Sequence, residues 1–131
     1  MIRSAAGEHF LFYGAGWWES PTAGVGYARC AGPMGPCTDA PENPILSSYN
    51  TPEAGCLSGP GHQALFESAG RQYVVFHAHA ALPRCRDADK GRYMYISPLS
   101  WEGGQPRIGP SLRPASVSAR DAAPPRRARR R

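Results

Sequence analysis

The sequence lacks a long apolar run, and no stretch approaches the roughly 18 consecutive apolar residues that a membrane-spanning helix needs. The first residues also lack the basic-then-apolar layout of a secretory signal peptide, so we expect any such signal to lie upstream of Met1. Long helices are disfavoured too, because 15 glycines and 14 prolines fall between the apolar runs. These absences predict an all-β protein without a membrane partner.

Apolar residues are scarce at the C-terminal end. Residues 113–131 contain seven arginines and one aspartate, a net +6, whereas the whole chain carries +5. With Val117 as its only large aliphatic residue, this segment buries too little apolar surface to offset its ordering entropy. We therefore predict a disordered tail at 113–131 after a folded domain at 1–112. No aromatic residue lies among these arginines to stack on bases, so nucleic-acid binding is not expected.

The four cysteines, Cys30, Cys37, Cys56 and Cys85, lack the paired spacing of a zinc site. Cys30 and Cys37 flank a loop rich in glycine and proline that brings its two ends together. We favour a disulfide between them, with free thiols as the alternative. A disulfide predicts an oxidising compartment, and hence an extracellular parent protein.

The sequence contains an internal repeat. Gly7–Tyr13 is echoed 63 positions later by Gly70–Phe76, and each copy is followed by a second strand-like run, Val25–Ala28 or Tyr93–Ile96. A further strand-like run, at 61–66, precedes the second copy, whereas only three residues precede the first in the corresponding place. Repeated units of about four short strands are typical of propeller blades. The fold predicted is therefore a partial β-propeller of about two blades.

The apolar runs and the turns between them predict individual strands. The predicted strands are 8–13, 24–30, 44–47, 62–67, 72–79, 93–97 and 105–108. Their apolar residues are mostly continuous rather than alternating, which predicts sheets covered on both faces. Two blades cannot close a ring, so we expect exposed edges and a requirement for further, N-terminal blades as partners.

Seven stretches, in order and over residues 1–110, carry a resemblance to a known family. They are His9–Trp18, Val25–Ala28, Gly32–Pro36, Pro44–Leu46, Gly59–His62, Tyr73–His79 and Gly91–Trp101. In these stretches the chain resembles the C-terminal portion of glycoside hydrolase family 43. The resemblance implies a five-bladed β-propeller whose members cleave arabinose- and xylose-containing polysaccharides such as arabinan, arabinoxylan and xylan.

The resemblance implies an inverting mechanism, in which one carboxylic acid protonates the leaving oxygen and an opposed carboxylate activates water. In the family, the base and a modulating aspartate belong to earlier blades, and the acid lies just upstream of the segment matching Gly7–Tyr13. We therefore assign no catalytic residue, and we expect the 131-residue chain to be inactive alone. The alternative is a non-catalytic propeller remnant that binds carbohydrate.

Two residues match binding positions of the family. His62 corresponds to a histidine near an axial metal, often calcium, although a buried structural histidine is the alternative. Arg92 corresponds to an arginine that donates hydrogen bonds to sugar hydroxyls, although a surface arginine at a strand end is the alternative.

Trp17 and Trp18 end the first strand region, and aromatic faces of this kind stack on sugar rings. We predict that one of them binds substrate while the other packs between blades. His77 and His79 share one face of their strand, and we expect them to fill space rather than to bind a ligand.

Overall fold

The computed structural model describes residues 1–51, 55–81 and 91–110, which form two antiparallel β-sheets. The nine strands are β1 (Ile2–Arg3), β2 (His9–Ala15), β3 (Gly24–Cys30), β4 (Cys37–Asp39), β5 (Tyr49–Thr51), β6 (Gly55–Ser68), β7 (Arg71–Ala81), β8 (Arg92–Glu102) and β9 (Gln105–Ile108). The first sheet has the order β1-β2-β3-β4 and the second the order β5-β6-β7-β8-β9. This architecture confirms the predicted all-β class.

Two of the connections between neighbouring strands are hairpin turns made of two consecutive residues with positive φ. Ala69 and Gly70, with φ of 50° and 71°, join β6 to β7, and Gly103 and Gly104, with φ of 57° and 77°, join β8 to β9. Two consecutive left-handed residues form the two-residue turn that matches the twist of antiparallel strands. Both turns fall between strands that the sequence predicts, 62–67 and 72–79 for the first and 93–97 and 105–108 for the second.

The fourth strand of the first sheet is not the one predicted. Residues 44–47 form no strand: Leu46 meets Val25 in one isolated bridge, and the sheet ends instead at β4. Pro44 has no backbone N–H to donate to a ladder. The side chain of Asn43 takes over part of the pairing, because it accepts from the Tyr27 amide at 2.9 Å and donates to the Tyr27 carbonyl at 2.8 Å.

The core lies between the two sheets. Phe10, Phe12 and Tyr27 from the first sheet pack in one cluster with residues such as Val74 and Phe76 from the second. All five side chains are buried, and each contributes on the order of 2 kcal/mol through removal of apolar surface from water. Packing between the sheets, rather than pairing within them, therefore holds the two units together.

The prediction that both faces of the sheets are covered holds for β3 but not for β2. Residues 24–28 of β3 are all buried, whereas β2 alternates, with Phe10 and Phe12 buried and Leu11 37% exposed. The same strand thus presents one face to the core and the other outward. Alternation results because only one face of β2 meets the second sheet.

The structure describes no helix of the length and apolarity needed to cross a membrane. The tail predicted at 113–131, the domain boundary at 112 and Cys85 lie outside the described residues.

Candidate functional site

An open cleft of about 700 Å³ lies where the end of β2 and the following loop approach β6. Its side chains include Trp18 from the loop, His62 and Gln63 from β6, His77 from β7 and Arg92 from β8. We refer to this feature as the cleft, and to residues 16–23 as the tryptophan loop. The cleft combines an aromatic ring with several polar side chains, which is a common composition for a small-molecule site.

Strand β6 is irregular where it borders the cleft. Its pairing with β7 shifts between Ser58 and Gly61, and again between Gly61 and Ala64. His62 lies within the second of these shifts and has a φ of 53°, a left-handed conformation that is uncommon outside glycine, although histidine tolerates it better than most residues. Bulges and unusual backbone conformations of this kind cluster at functional sites, because they redirect side chains.

The tryptophan loop packs directly on β6 at Gly59. A Cβ atom at Gly59 would lie 2.6 Å from the carbonyl oxygen of Ser20, and Gly59 has a φ of 58°. Ser48 reinforces this approach, because its hydroxyl donates to the Pro21 carbonyl and accepts from the Gly59 amide at 2.9 Å. Only glycine allows so close a contact between the two backbones.

Arg92 connects three segments that border the cleft. Its Nε donates to Nδ1 of His77 at 2.7 Å, and its Nη2 donates to the carbonyl of Gly59 at 3.0 Å. Its Nη1 donates to the carbonyl of Trp18 in the tryptophan loop. Burial lowers the pKa of Arg92, which is partly buried among these partners. Most N–H groups of the guanidinium therefore donate to other groups of the protein.

His77 accepts from Arg92 through Nδ1, so that nitrogen carries no proton. Burial lowers the pKa of His77, and the positive charge of Arg92 and the proximity of His62 lower it further. The ring of His77 stacks on that of His62, with the centroids 5.3 Å apart. His79 lies on the same side of β7, and burial followed by the charge of Arg92 lowers its pKa as well. The surroundings of His77 and His79 thus favour the neutral form of these two rings.

The two tryptophans lie at the rim of the cleft, and both are exposed. The relative exposure is 64% for Trp17 and 53% for Trp18, and their ring centroids are 6.4 Å apart. Trp17 Nε1 donates to Glu19 at 3.2 Å, whereas Trp18 lines the cleft. Neither ring packs between the two sheets as expected for one of them, because the loop carries both outward beyond the end of β2.

None of the described Asp and Glu residues lines the cleft, although Glu19 lies on the tryptophan loop, where it accepts from Trp17. Asp39 accepts from Tyr13 at 3.0 Å, Glu42 accepts from Tyr27, and Glu8 pairs with an arginine of β3 at 3.3 Å. The hydrogen bond from Tyr27 lowers the pKa of Glu42. Among the residues described, no three His, Cys, Asp or Glu side chains form a group able to hold a metal ion.

A disulfide joins Cys30 and Cys37, which are registered partners on β3 and β4. Cys56 is disulfide-bonded as well. The Cys30–Cys37 bond lies at the opposite end of β3 from Gly24, which lines the cleft. It therefore stabilises the outer edge of the first sheet and leaves the cleft unconstrained.

The structure brings together at the cleft Trp18, which was singled out as an aromatic residue, and His62 and Arg92, which were singled out by the family resemblance. The sequence analysis missed Gln63 as a lining residue and His77 as a partner of Arg92. A signal for Gln63 was available in the glycine-rich run that precedes His62, since closely spaced glycines often mark a bulge or a close backbone approach.

The sequence model of the family described as "Glycosyl hydrolases family 43" matches residues 2–106. The crystal structure of a thermostable family-43 glycoside hydrolase is similar, with a TM-score of 0.69 and 31% identity over 86% of this chain and 35% of that one. An endo-1,4-beta-xylanase from Bacteroides thetaiotaomicron gives a TM-score of 0.70 and 31% identity over 86% of this chain and 37% of that one.

A third solved structure, the GH43 BlXynB protein from Bacillus licheniformis, gives a TM-score of 0.65 and 25% identity over 85% of this chain and 22% of that one. No curated protein matches the sequence significantly. The chain thus spans little more than a third of the length of the first two solved structures that it matches.

Proposed function

The chain belongs to glycosyl hydrolase family 43, and we propose that it supplies part of the sugar-binding cleft of a glycosidase acting on arabinose- and xylose-containing polysaccharides. The observation that carries this proposal is the family match over residues 2–106. The β-propeller fold of the family agrees with the two packed sheets of the structure. Because the relatives are much longer, the proposed activity is that of the whole protein.

The composition of the cleft supports a carbohydrate ligand. The ring of Trp18 offers an apolar face to the C–H surface of a sugar ring, while Gln63 and His62 offer polar atoms to its hydroxyls. Trp17 extends the aromatic surface beyond the rim of the cleft. The substrates proposed are arabinan, arabinoxylan and xylan, and the xylanase named among the similar structures agrees with this class.

The mechanism proposed for the whole protein is inversion by two carboxyl groups about 6.5–9.5 Å apart, one acting as acid and one as base. None of the described residues that line the cleft is Asp or Glu. We therefore assign to these residues the binding and orientation of the sugar, and we assign the proton transfers to carboxyl groups elsewhere in the whole protein.

The calcium ion expected near His62 stays a prediction. Calcium prefers six to eight oxygen ligands, and the described lining supplies the side chains of two histidines and Gln63, but no carboxylate. The donors described in the cleft therefore do not by themselves fit calcium, and no step of the mechanism uses it. We also propose an extracellular location, which the Cys30–Cys37 disulfide supports.

A second candidate function is carbohydrate binding without catalysis. The two exposed tryptophan rings favour it, because a pair of aromatic faces at a rim can hold a polysaccharide without chemistry. In this case the chain binds sugar on its own and contributes no hydrolysis.

The test combines a binding assay with a turnover assay on the purified 131-residue chain. Affinity electrophoresis in gels containing arabinan, arabinoxylan or xylan measures binding, and nitrophenyl arabinofuranoside and xyloside measure turnover. We expect retardation in at least one gel and no turnover. Turnover by this chain would contradict the assignment of the proton transfers, and absence of retardation in all three gels would contradict the sugar-binding cleft.

A further inference from the structure

We propose that Arg92 is a positioning residue, which holds the tryptophan loop against β6 and thereby sets the place of the Trp18 ring at the cleft. The effect of Arg92 on sugar binding rests on the proposed function, whereas the contacts that Arg92 makes with the tryptophan loop and β6 belong to the fold itself. It differs from the expected role of Arg92 as a direct donor to sugar hydroxyls.

Arg92 joins two backbone segments at once, the tryptophan loop and β6. Its Nη1 donates to the carbonyl of Trp18, and its Nη2 donates to the carbonyl of Gly59 at 3.0 Å. A planar guanidinium presents its N–H groups in a rigid fork and can hold two acceptors in a fixed relation. Arg92 therefore helps to fix the position of the Trp18 backbone relative to β6, together with the Gly59–Ser20 contact and the hydrogen bonds of Ser48.

His77 fixes the plane of the Arg92 guanidinium. Nδ1 of His77 accepts from Nε of Arg92 at 2.7 Å, and the backbone carbonyl of His77 accepts from Nη2 at 3.3 Å. With donors committed to His77, Gly59 and Trp18, little of the guanidinium is left to reach a ligand. Its effect on a bound sugar consequently passes through the Trp18 ring.

The tryptophan loop and β6 also meet at a second contact, which involves no side chain of the cleft. Gly59 approaches Ser20 so closely that an added Cβ would lie 2.6 Å from the Ser20 carbonyl oxygen. Substitution of Gly59 by alanine would therefore push the tryptophan loop away from β6 without replacing any polar side chain of the cleft. This separates positioning of the loop from donation by Arg92.

The experiment compares Arg92→Lys, Gly59→Ala and, as a matched control, Arg107→Lys in the full chain. Lysine keeps the positive charge but has no fork to join two carbonyls. Arg107 pairs with Glu102 at 3.5 Å on β9, away from the cleft, so its conservative replacement tests the effect of the exchange itself. Each variant is made with Trp17→Phe, which leaves the exposed Trp18 and the half-buried Trp101, so that changes in acrylamide quenching report chiefly on Trp18.

Two readouts are measured, acrylamide quenching of tryptophan fluorescence and retardation in the polysaccharide gels. We expect increased quenching and about fivefold weaker binding in both Arg92→Lys and Gly59→Ala, the size of one lost aromatic contact. The Arg107→Lys control should match its parent in both readouts. Thermal unfolding checks each fold, and His77→Gln replaces any variant that fails to fold, because it disturbs the same fork.

Two outcomes would overturn the inference. One is Arg92→Lys with weakened binding but unchanged quenching, which means direct contact with the sugar. The other is Gly59→Ala with both readouts unchanged, which means that the loop is not held by its contact with β6. If the parent chain binds none of the polysaccharides, the proposed function fails, and the quenching data still decide whether Arg92 positions the loop.

Discussion

Arg92 donates a hydrogen bond from Nε to Nδ1 of His77 at 2.7 Å, which leaves that histidine nitrogen unprotonated. A second proton on the ring would remove the acceptor and place two positive groups in contact. Protonation of His77 and the arrangement of the cleft are therefore coupled.

This coupling predicts a loss of stability in mild acid. The pKa of His77 lies below its ordinary value of 6.5, first through burial and then through the charge of Arg92 and the proximity of His62. The unfolded chain thus binds a proton more readily than the folded chain. The contribution of His77 to the free energy of unfolding is complete above pH 6.5 and is lost as the pH falls toward the folded pKa.

Thermal unfolding followed from pH 8 to pH 5 measures this effect. His79, whose pKa is also lowered by burial, adds a change of the same sign. His77→Gln should therefore reduce the pH dependence but leave the part due to His79. A variant with the same slope as the parent chain would contradict the coupling.

The position of Trp18 predicts unequal contributions of the two tryptophans to binding. Trp18 lines the cleft, whereas Trp17 is turned toward Glu19 at its rim. We expect Trp18→Ala to weaken binding in the polysaccharide gels by about fivefold, and Trp17→Ala by less, because stacking against a ring is worth ~1 kcal/mol. Equal effects, or a larger effect at Trp17, would show that the rim rather than the cleft holds the sugar.

The alternation along β2 predicts different costs for neighbouring core substitutions. Phe10 is fully buried and packs on Trp101 with the ring centroids 4.7 Å apart, whereas Leu11 is 37% exposed. Phe10→Ala should lower the free energy of unfolding by about 3–5 kcal/mol through lost burial and the cavity left behind.

Urea denaturation measures this difference, with Leu11→Ala as the matched control on the opposite face of the same strand. The control should cost about 1 kcal/mol or less, because most surface substitutions have small effects. Comparable losses at both positions would mean that a further layer covers the outer face of β2, as when the chain associates with other blades.

The disulfide predicts a stability effect that leaves binding unchanged. Cys30 and Cys37 close a short loop between β3 and β4, so the double substitution Cys30→Ser with Cys37→Ser should cost about 2 kcal/mol through the added freedom of the unfolded chain. Thermal unfolding measures the loss, and gel retardation at a temperature where both proteins are folded should stay the same. Weakened binding in folded protein would show that the outer edge of the sheet supports the cleft.

The difference at the edge of the first sheet shows how far local patterns extend. The run at 44–47 has the apolar residues of a strand, yet only Leu46 bridges to Val25, while β4 forms from Cys37–Asp39, which has little strand character. Closeness along the chain explains the choice of partner for β3. The short connection after β3 and the Cys30–Cys37 disulfide bring β4 into register with it. Residues 44–47, which begin with a proline, are then left outside the ladder of the sheet.

The cleft shows the same division between local and distant information. His62 was predicted from its match to a family position, and Trp18 because it is aromatic at a strand end. His77 as the acceptor for Arg92 was not predictable, since their side chains meet only through the register of β7 and β8.

The longer strands and the two-residue hairpin turns were determined by the sequence alone, because β-branched and aromatic residues and glycines at turns act over a few neighbouring positions. Only the tertiary structure decided that Arg92 meets the carbonyls of Trp18 and Gly59, and that one face of β2 is buried while the other is not. The physical reason is that such contacts join segments far apart in the chain, and their geometry depends on how the two sheets pack rather than on any local preference.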